Sequence, residues 1–203
     1  DKIVKTPNID RLAKEGVLFN NMFVTTSICS VSRATYLTGQ WIRRHGIVDF
    51  ATGITDAHWK DCYPAQFRAA GFHTGFIGKY GVGNPKLTAA KEADFDFWRG
   101  EPGQAGKFFI EPNDPTRTHK TAKMGNAALE FLSGCDGSNP FSLSVSFNAV
   151  HARDHEEREY EPDPRDAGMY DGVEIPLPKL ATDEAFKRLP PFVQESEGRR
   201  RWG

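Results

Sequence analysis

Paired cysteines are missing from this 203-residue chain, which has three, Cys29, Cys62 and Cys135, and no CxxC. An odd, scattered set excludes a disulfide framework and a thiolate zinc site. Excess charge of either sign is missing as well. Twenty-six basic residues stand against 27 acidic ones, a formal net charge of −1. That balance argues against the basic face that binds nucleic acid or another polyanion. No apolar run approaches the ~18 residues that a membrane-spanning helix needs. No internal repeat or low-complexity tract is present. The chain opens on Asp1, not Met, without a charged-then-apolar stretch, so a signal peptide is expected to be absent or already lost, and the closing GRRRWG carries no helix-ending pattern beyond Gly203. A fragment or a processed chain is therefore expected, its compartment unknown, with Arg199–Arg201 a solvated or salt-bridged stretch.

The chain is long enough for a real core, since chains of this size bury roughly 70% of their extended surface. Pro7 and the i, i+3, i+4 spacing of Ile9, Leu12 and Ala13 predict a short amphipathic helix stopped by Gly16. A strand is expected over Val17–Val24 and a helix over Ser30–Thr38, closed by Gly39. YPAQFRAAG (Tyr63–Gly71) predicts a helix leading into a strand over Phe72–Gly78, in which Phe72, Thr74 and Phe76 alternate. Residues 84–117, rich in Gly, Pro, Asp and Phe, read as a long surface excursion. A helix follows over His119–Gly134 and a strand over Pro140–Phe147, with Phe141, Leu143, Val145 and Phe147 on one face and serines on the other. Asp154–Glu161 reads as a solvated acidic loop. From Tyr160 onward, repeated prolines keep the chain irregular, with one helix near Thr182–Arg188. Helix, glycine, strand and glycine-rich turn make the rhythm of an α/β sheet. Lys79 follows one strand and His151 another, where sites in open α/β sheets lie.

The stretch CSVSRATYLTG (Cys29–Gly39) carries the chemistry. If Ser30–Thr38 is helical, Cys29 sits at its start with Arg33 one turn later on the same side. Backbone N–H groups and guanidinium donors would then converge on an anion. The plainer reading is a buried, inert cysteine and a structural arginine. Other motifs fail on inspection. GFIGKYG needs Gly at His73 and Ser or Thr at Tyr80 to be a P-loop, and GVGNP breaks the dinucleotide glycine pattern. HEERE (His155–Glu159) lacks the second histidine of a zinc-protease helix. Pairing Cys29 with His151 as in a cysteine peptidase leaves Arg33 and Lys79 without a role.

CSVSRATYLTGQ resembles the signature C-x-P-S-R-x-x-x-L-T-G of the sulfatases, in the alkaline-phosphatase-like superfamily. TPNIDRLAKEGVLFNNMFV before it, then RRHG (Arg43–Gly46), RAAGFHTGFIGKYGVG (Arg68–Gly83) and SFNAVH (Ser146–His151), resemble further blocks in order. The resemblance implies a mixed sheet flanked by helices, truncated at both ends here. One partial catalytic domain would fill residues 1–203, with about 1–159 matching and 160–203 a proline-rich continuation. It implies hydrolysis of sulfate monoesters of a sulfated small molecule or glycan. Cys29, converted to formylglycine by a formylglycine-generating enzyme, would be nucleophile and metal ligand. Arg33 would steady it, Lys79 would bind sulfate, and His151 would bind sulfate or protonate the leaving oxygen. Calcium would be the cofactor, its remaining ligands lying outside this chain, so that these residues alone would be inactive. Val31 stands where the signature has Pro, and Gly81 where many members have His. The alternatives are a phosphodiesterase or phosphonate hydrolase of the same superfamily and a non-catalytic anion-binding relative.

Overall fold

The computed structural model describes residues 3–102, 108–109, 118–153 and 159–196. Residues 154–158, within the expected acidic loop, lie outside the described residues, as do the Arg199–Arg201 triplet and residues 103–107 and 110–117 of the expected excursion.

The chain forms two compact units, one of Phe19–Ala167 and one of Asp1–Leu18 with Gly168–Gly203. The second contains α1 (Pro7–Glu15), α8 (Asp183–Lys187) and α9 (Pro191–Gln194). α1 and α9 start on proline, whose fixed φ suits the first turn. Thr182 caps α8 by accepting from the Ala185 N–H. Ile9 and Leu12 give α1 its apolar stripe, yet they are 66% and 68% exposed.

The larger unit holds a three-stranded parallel sheet in the order β2–β1–β3, with β1 His73–Lys79, β2 Phe97–Glu101 and β3 Phe141–Ser146. Its helices are α2 (Cys29–Thr38), α3 (Ile42–His45), α4 (Asp56–Trp59), α5 (Tyr63–Ala69), α6 (Pro85–Ala90) and α7 (Lys120–Ser133). β1 is the central strand. Its side chains are buried on both faces from Thr74 to Lys79, as expected of a strand with neighbours on each side in a parallel sheet. One face packs against α7 through Phe131, which is 2% exposed. That ring stacks on His73 of β1 and meets Phe97 of β2 and Phe141 of β3 edge-on. The other face carries Phe76 into a cluster with Ala34 and Leu37 of α2, Trp59, Cys62, Tyr80 and Phe95.

Three expectations are corrected. Val17–Val24 is not a strand. Its apolar residues do not alternate with polar ones, and Phe19, Met22 and Phe23 are more than 60% exposed, so no neighbouring strand fixes an extended ladder. The excursion from residue 84 is not structureless: it contains α6, a 3-10 turn over Lys91–Asp94, and β2. Asn84 caps α6 from the Leu87 N–H, and β2 is defined by its pairing with β1 rather than by local pattern. β1 itself is buried throughout rather than on alternate residues, and it ends on Lys79.

Candidate active site

α2 starts at Cys29 because Ile28 before it is extended and Ser30, Val31, Ala34 and Leu37 form its buried side. The N-cap residue, Ile28, offers no side-chain acceptor to the first turn. Gly39, at φ 63°, closes the helix in the left-handed conformation that a residue without Cβ adopts at no steric cost. Ser30 is fully buried and donates to Asp49 O at 2.8 Å. His45 is buried, and its ring accepts from the Ile47 N–H and meets Thr35 Oγ1 at 3.1 Å, which ties the following loop to α2. Burial lowers the His45 pKa. Val31, where the signature has Pro, is fully buried among these contacts.

From this helix the half-buried Arg33 reaches across the carboxyl ends of two strands. Its Nη1 donates to Lys79 O, the last residue of β1, and to Ser146 Oγ, the last residue of β3, each at 2.5 Å. Lys79 is 2% exposed, and its Nζ has no oxygen or nitrogen partner among the described residues. Burial is the main cause lowering the pKa of both cations; the Cys29 thiol opposes that shift in each, and Arg33 pushes Lys79 lower still. Cys29 is half-buried and outside any disulfide. Cys29, Arg33 and Lys79 thus form one electrostatic group with more positive than negative charge, beside the start of a helix whose dipole also favours an anion.

His151 does not join them in this structure. It is exposed, its N–H donates to Asn148 O, and its Nδ1 lies 2.7 Å from Ala152 O. Ser146 is the residue that sequence reasoning missed. It counted as one of the polar alternate positions of β3 and as the first residue of the SFNAVH block, and nothing local marks it as the acceptor for an arginine on a helix 113 residues earlier. A cavity of about 330 Å³ opens beside the group, lined by Arg33, Tyr36, Tyr63, Ser144 and Ser146 among others. It meets the group through Arg33 and not through Cys29 or Lys79.

A calcium site needs about six to eight oxygen ligands, several of them anionic. Among the described residues no three His, Cys, Asp or Glu side chains come together as a metal site. The groups coupled to Cys29 are cationic. The described residues therefore do not fit calcium, and no role is assigned to it.

A protein-family model described as Sulfatase matches residues 1–173. An N-acetylglucosamine-6-O-sulfatase of Bacteroides thetaiotaomicron is 25% identical over 189 residues, covering 90% of this chain and 32% of the relative. The human N-acetylgalactosamine-6-sulfatase is 33% identical over 188 residues, covering 73% and 35%. A solved structure of a protein in complex with its substrate D-glucosamine-2-N,6-O-disulfate superposes with TM-score 0.63 at 22% identity, covering 95% of this chain and 46% of that one. The last likeness concerns the fold. The chain spans about a third of the length of the curated relatives it matches.

Proposed function

The chain belongs to the sulfatase family, and on that premise we propose that the protein hydrolyses sulfate monoesters with Cys29, Arg33 and Lys79 at the reacting group. The observation that carries the proposal is the convergence of these three side chains where α2 begins and β1 and β3 end. Formylglycine made from Cys29 by a formylglycine-generating enzyme would supply the hydrated aldehyde that attacks sulfur. Cys29 suits the conversion: it is partly accessible, outside any disulfide, and placed at the start of a helix.

The chain's own residues bind and orient. Lys79 Nζ, buried and short of acceptors, takes a sulfate oxygen as a charge-assisted donor. Arg33 is fastened at its tip to Lys79 O and Ser146 Oγ, so its guanidinium holds position while its remaining donors face the anion. The first-turn N–H groups of α2 add donors near Cys29. Both cations lie in buried surroundings, where charge developing on the sulfate oxygens is stabilised more than it would be in water. His151 is assigned to the sulfate or to the leaving oxygen, which requires the loop after β3 to turn its ring inward from the position described.

The names of the relatives and the sugar disulfate of the structural neighbour support a sulfated sugar, free or in a glycan, as the substrate class. Mass spectrometry of the Cys29 peptide after co-expression with a maturation enzyme tests the reading. Conversion of the thiol to the aldehyde is expected. An unchanged thiol after both aerobic and anaerobic maturation would leave the site without its nucleophile.

A further inference from the structure

Gly81, two residues beyond β1, lies under the middle of the Arg33 side chain. A Cβ built there would stand 2.8 Å from Arg33 Cδ, 3.2 Å from Arg33 Nε and 3.1 Å from Lys79 Cε. Contacts that short force one partner to move. A long side chain commonly escapes such a contact by swinging its free end, but Arg33 has none. Its root sits on α2 between the fully buried Val31 and Ala34, and its tip is bonded to Lys79 O and Ser146 Oγ. The contacts at Cδ and Nε fall on the span between those two anchors.

Backbone conformation gives Gly81 a second reason to be glycine, at φ +67°. The two reasons can be separated. Gly39 and Gly46 have similar angles, +63° and +70°, and a Cβ on either would meet nothing within 4 Å. A side chain at those positions strains only the backbone, whereas one at position 81 also strikes both cations of the site.

We propose that Gly81 is a positioning residue for the Arg33–Lys79 pair. Its bare Cα is the gap through which Arg33 crosses the exit of β1 to reach β3, and any side chain there unseats the guanidinium. The inference rests on the reading that this pair binds the sulfate group. With Arg33 on this path, position 81 has no room for a ring.

The guanidine NMR signal of Arg33 reads the seating of that side chain without turnover. The variants are Gly81→Ala, Arg33→Ala and the two combined, with Gly39→Ala as the control for backbone strain alone; Arg33→Ala assigns the signal by its loss. In the wild type the Arg33 Nε–H resonance should lie apart from those of exposed arginines, because its tip is bonded to Lys79 O and Ser146 Oγ. Gly81→Ala is expected to move it into the range of exposed arginines, and Gly39→Ala to leave it in place. An unmoved Arg33 signal in Gly81→Ala, or an equal movement in Gly39→Ala, would overturn the proposal. If Gly81→Ala does not fold, the combined variant should fold as Arg33→Ala does, because the contacts at Arg33 Cδ and Nε are gone; a combined variant that fails where Arg33→Ala folds would overturn it. Inorganic sulfate added to the wild type should shift the Arg33 signal. An unshifted signal would sink the functional reading, while the comparison of variants still decides the role of Gly81.

Discussion

Arg33 and Lys79 are two cations whose surroundings hold too little negative charge. Burial lowers the pKa of each, and Lys79 Nζ lacks an oxygen or nitrogen partner among the described residues. A buried charge with too few partners costs folding free energy until a counter-charge arrives, and on the proposed function a sulfate group would supply it. Truncation of either residue should therefore lower kcat of the matured enzyme by about 10²–10³-fold, the scale of losing one preorganised donor. Lys79→Ala should leave the melting temperature unchanged or raised, because it removes a cation that burial penalises more than its neighbours stabilise; a large loss of stability would make the lysine structural. The pH dependence follows from the direction of the shift. Sulfate needs the ammonium form, and the Lys79 pKa lies below its ordinary value. Sulfate affinity should therefore decline as pH rises through that lowered value, before the ~10.4 of an ordinary lysine. Folding stability moves the opposite way, rising over the same interval as the costly charge is lost. Calorimetric titration of sulfate at pH 7 to 11 checks this, and affinity held constant to pH 10.4 would contradict it. Cys62 contrasts with the half-buried Cys29. It is fully buried in the core, which pushes its thiol up to about 11, so it should resist alkylation in the folded protein.

Among the elements, α7 holds the sheet together through one ring. Phe131 touches β1, β2 and β3 at once, so Phe131→Ala should cost about 3–5 kcal/mol by denaturant unfolding. A loss under about 1 kcal/mol would show that the sheet does not depend on it. The pairing of β1 with β2 has a charged clasp as well. Asp96, just before β2, accepts from Thr74 N and Thr74 Oγ1 in β1 and lies 3.2 Å from Arg68. Burial opposes its charge, but the Thr74 bonds and Arg68 outweigh burial and hold its pKa below the ordinary value. Its stabilisation is therefore complete above the ordinary carboxylate pKa of about 3.9 and is lost as pH falls through the lowered one. Asp96→Asn should flatten the acid limb of the stability curve. Much of this layer was legible in the sequence. The start of α2 and its Cys29–Arg33 spacing stood in the signature, and the helix–glycine–strand rhythm placed α5 and β1. β2 was not legible, because Gly100 interrupts its pattern. The reason is the Trp98 ring, which occupies the space where a side chain at position 100 would go. The apolar run of residues 17–24 misled in the opposite direction, since propensity without a partner strand does not make a ladder. The grip of Arg33 on Ser146 was invisible for a related reason: it joins residues 113 apart in sequence.

For the molecule as a whole, the family is shown over residues 1–173 and the fold by a structural neighbour, while the chemistry is inferred from one constellation. Among the described residues no three His, Cys, Asp or Glu side chains are placed to hold a metal, so isothermal titration of calcium into residues 1–203 should give only weak binding. Micromolar affinity would mean that carboxylates have been overlooked as ligands. The central claim is that Cys29 is the source of the nucleophile in sulfate-ester hydrolysis. Its most direct test is release of 4-nitrophenol from 4-nitrophenyl sulfate by the whole protein, co-expressed with a formylglycine-generating enzyme, beside its Cys29→Ala variant and an aryl phosphate control. Turnover of the sulfate, abolished in Cys29→Ala, is expected. Turnover that survives Cys29→Ala, or hydrolysis of the phosphate without the sulfate, would contradict it.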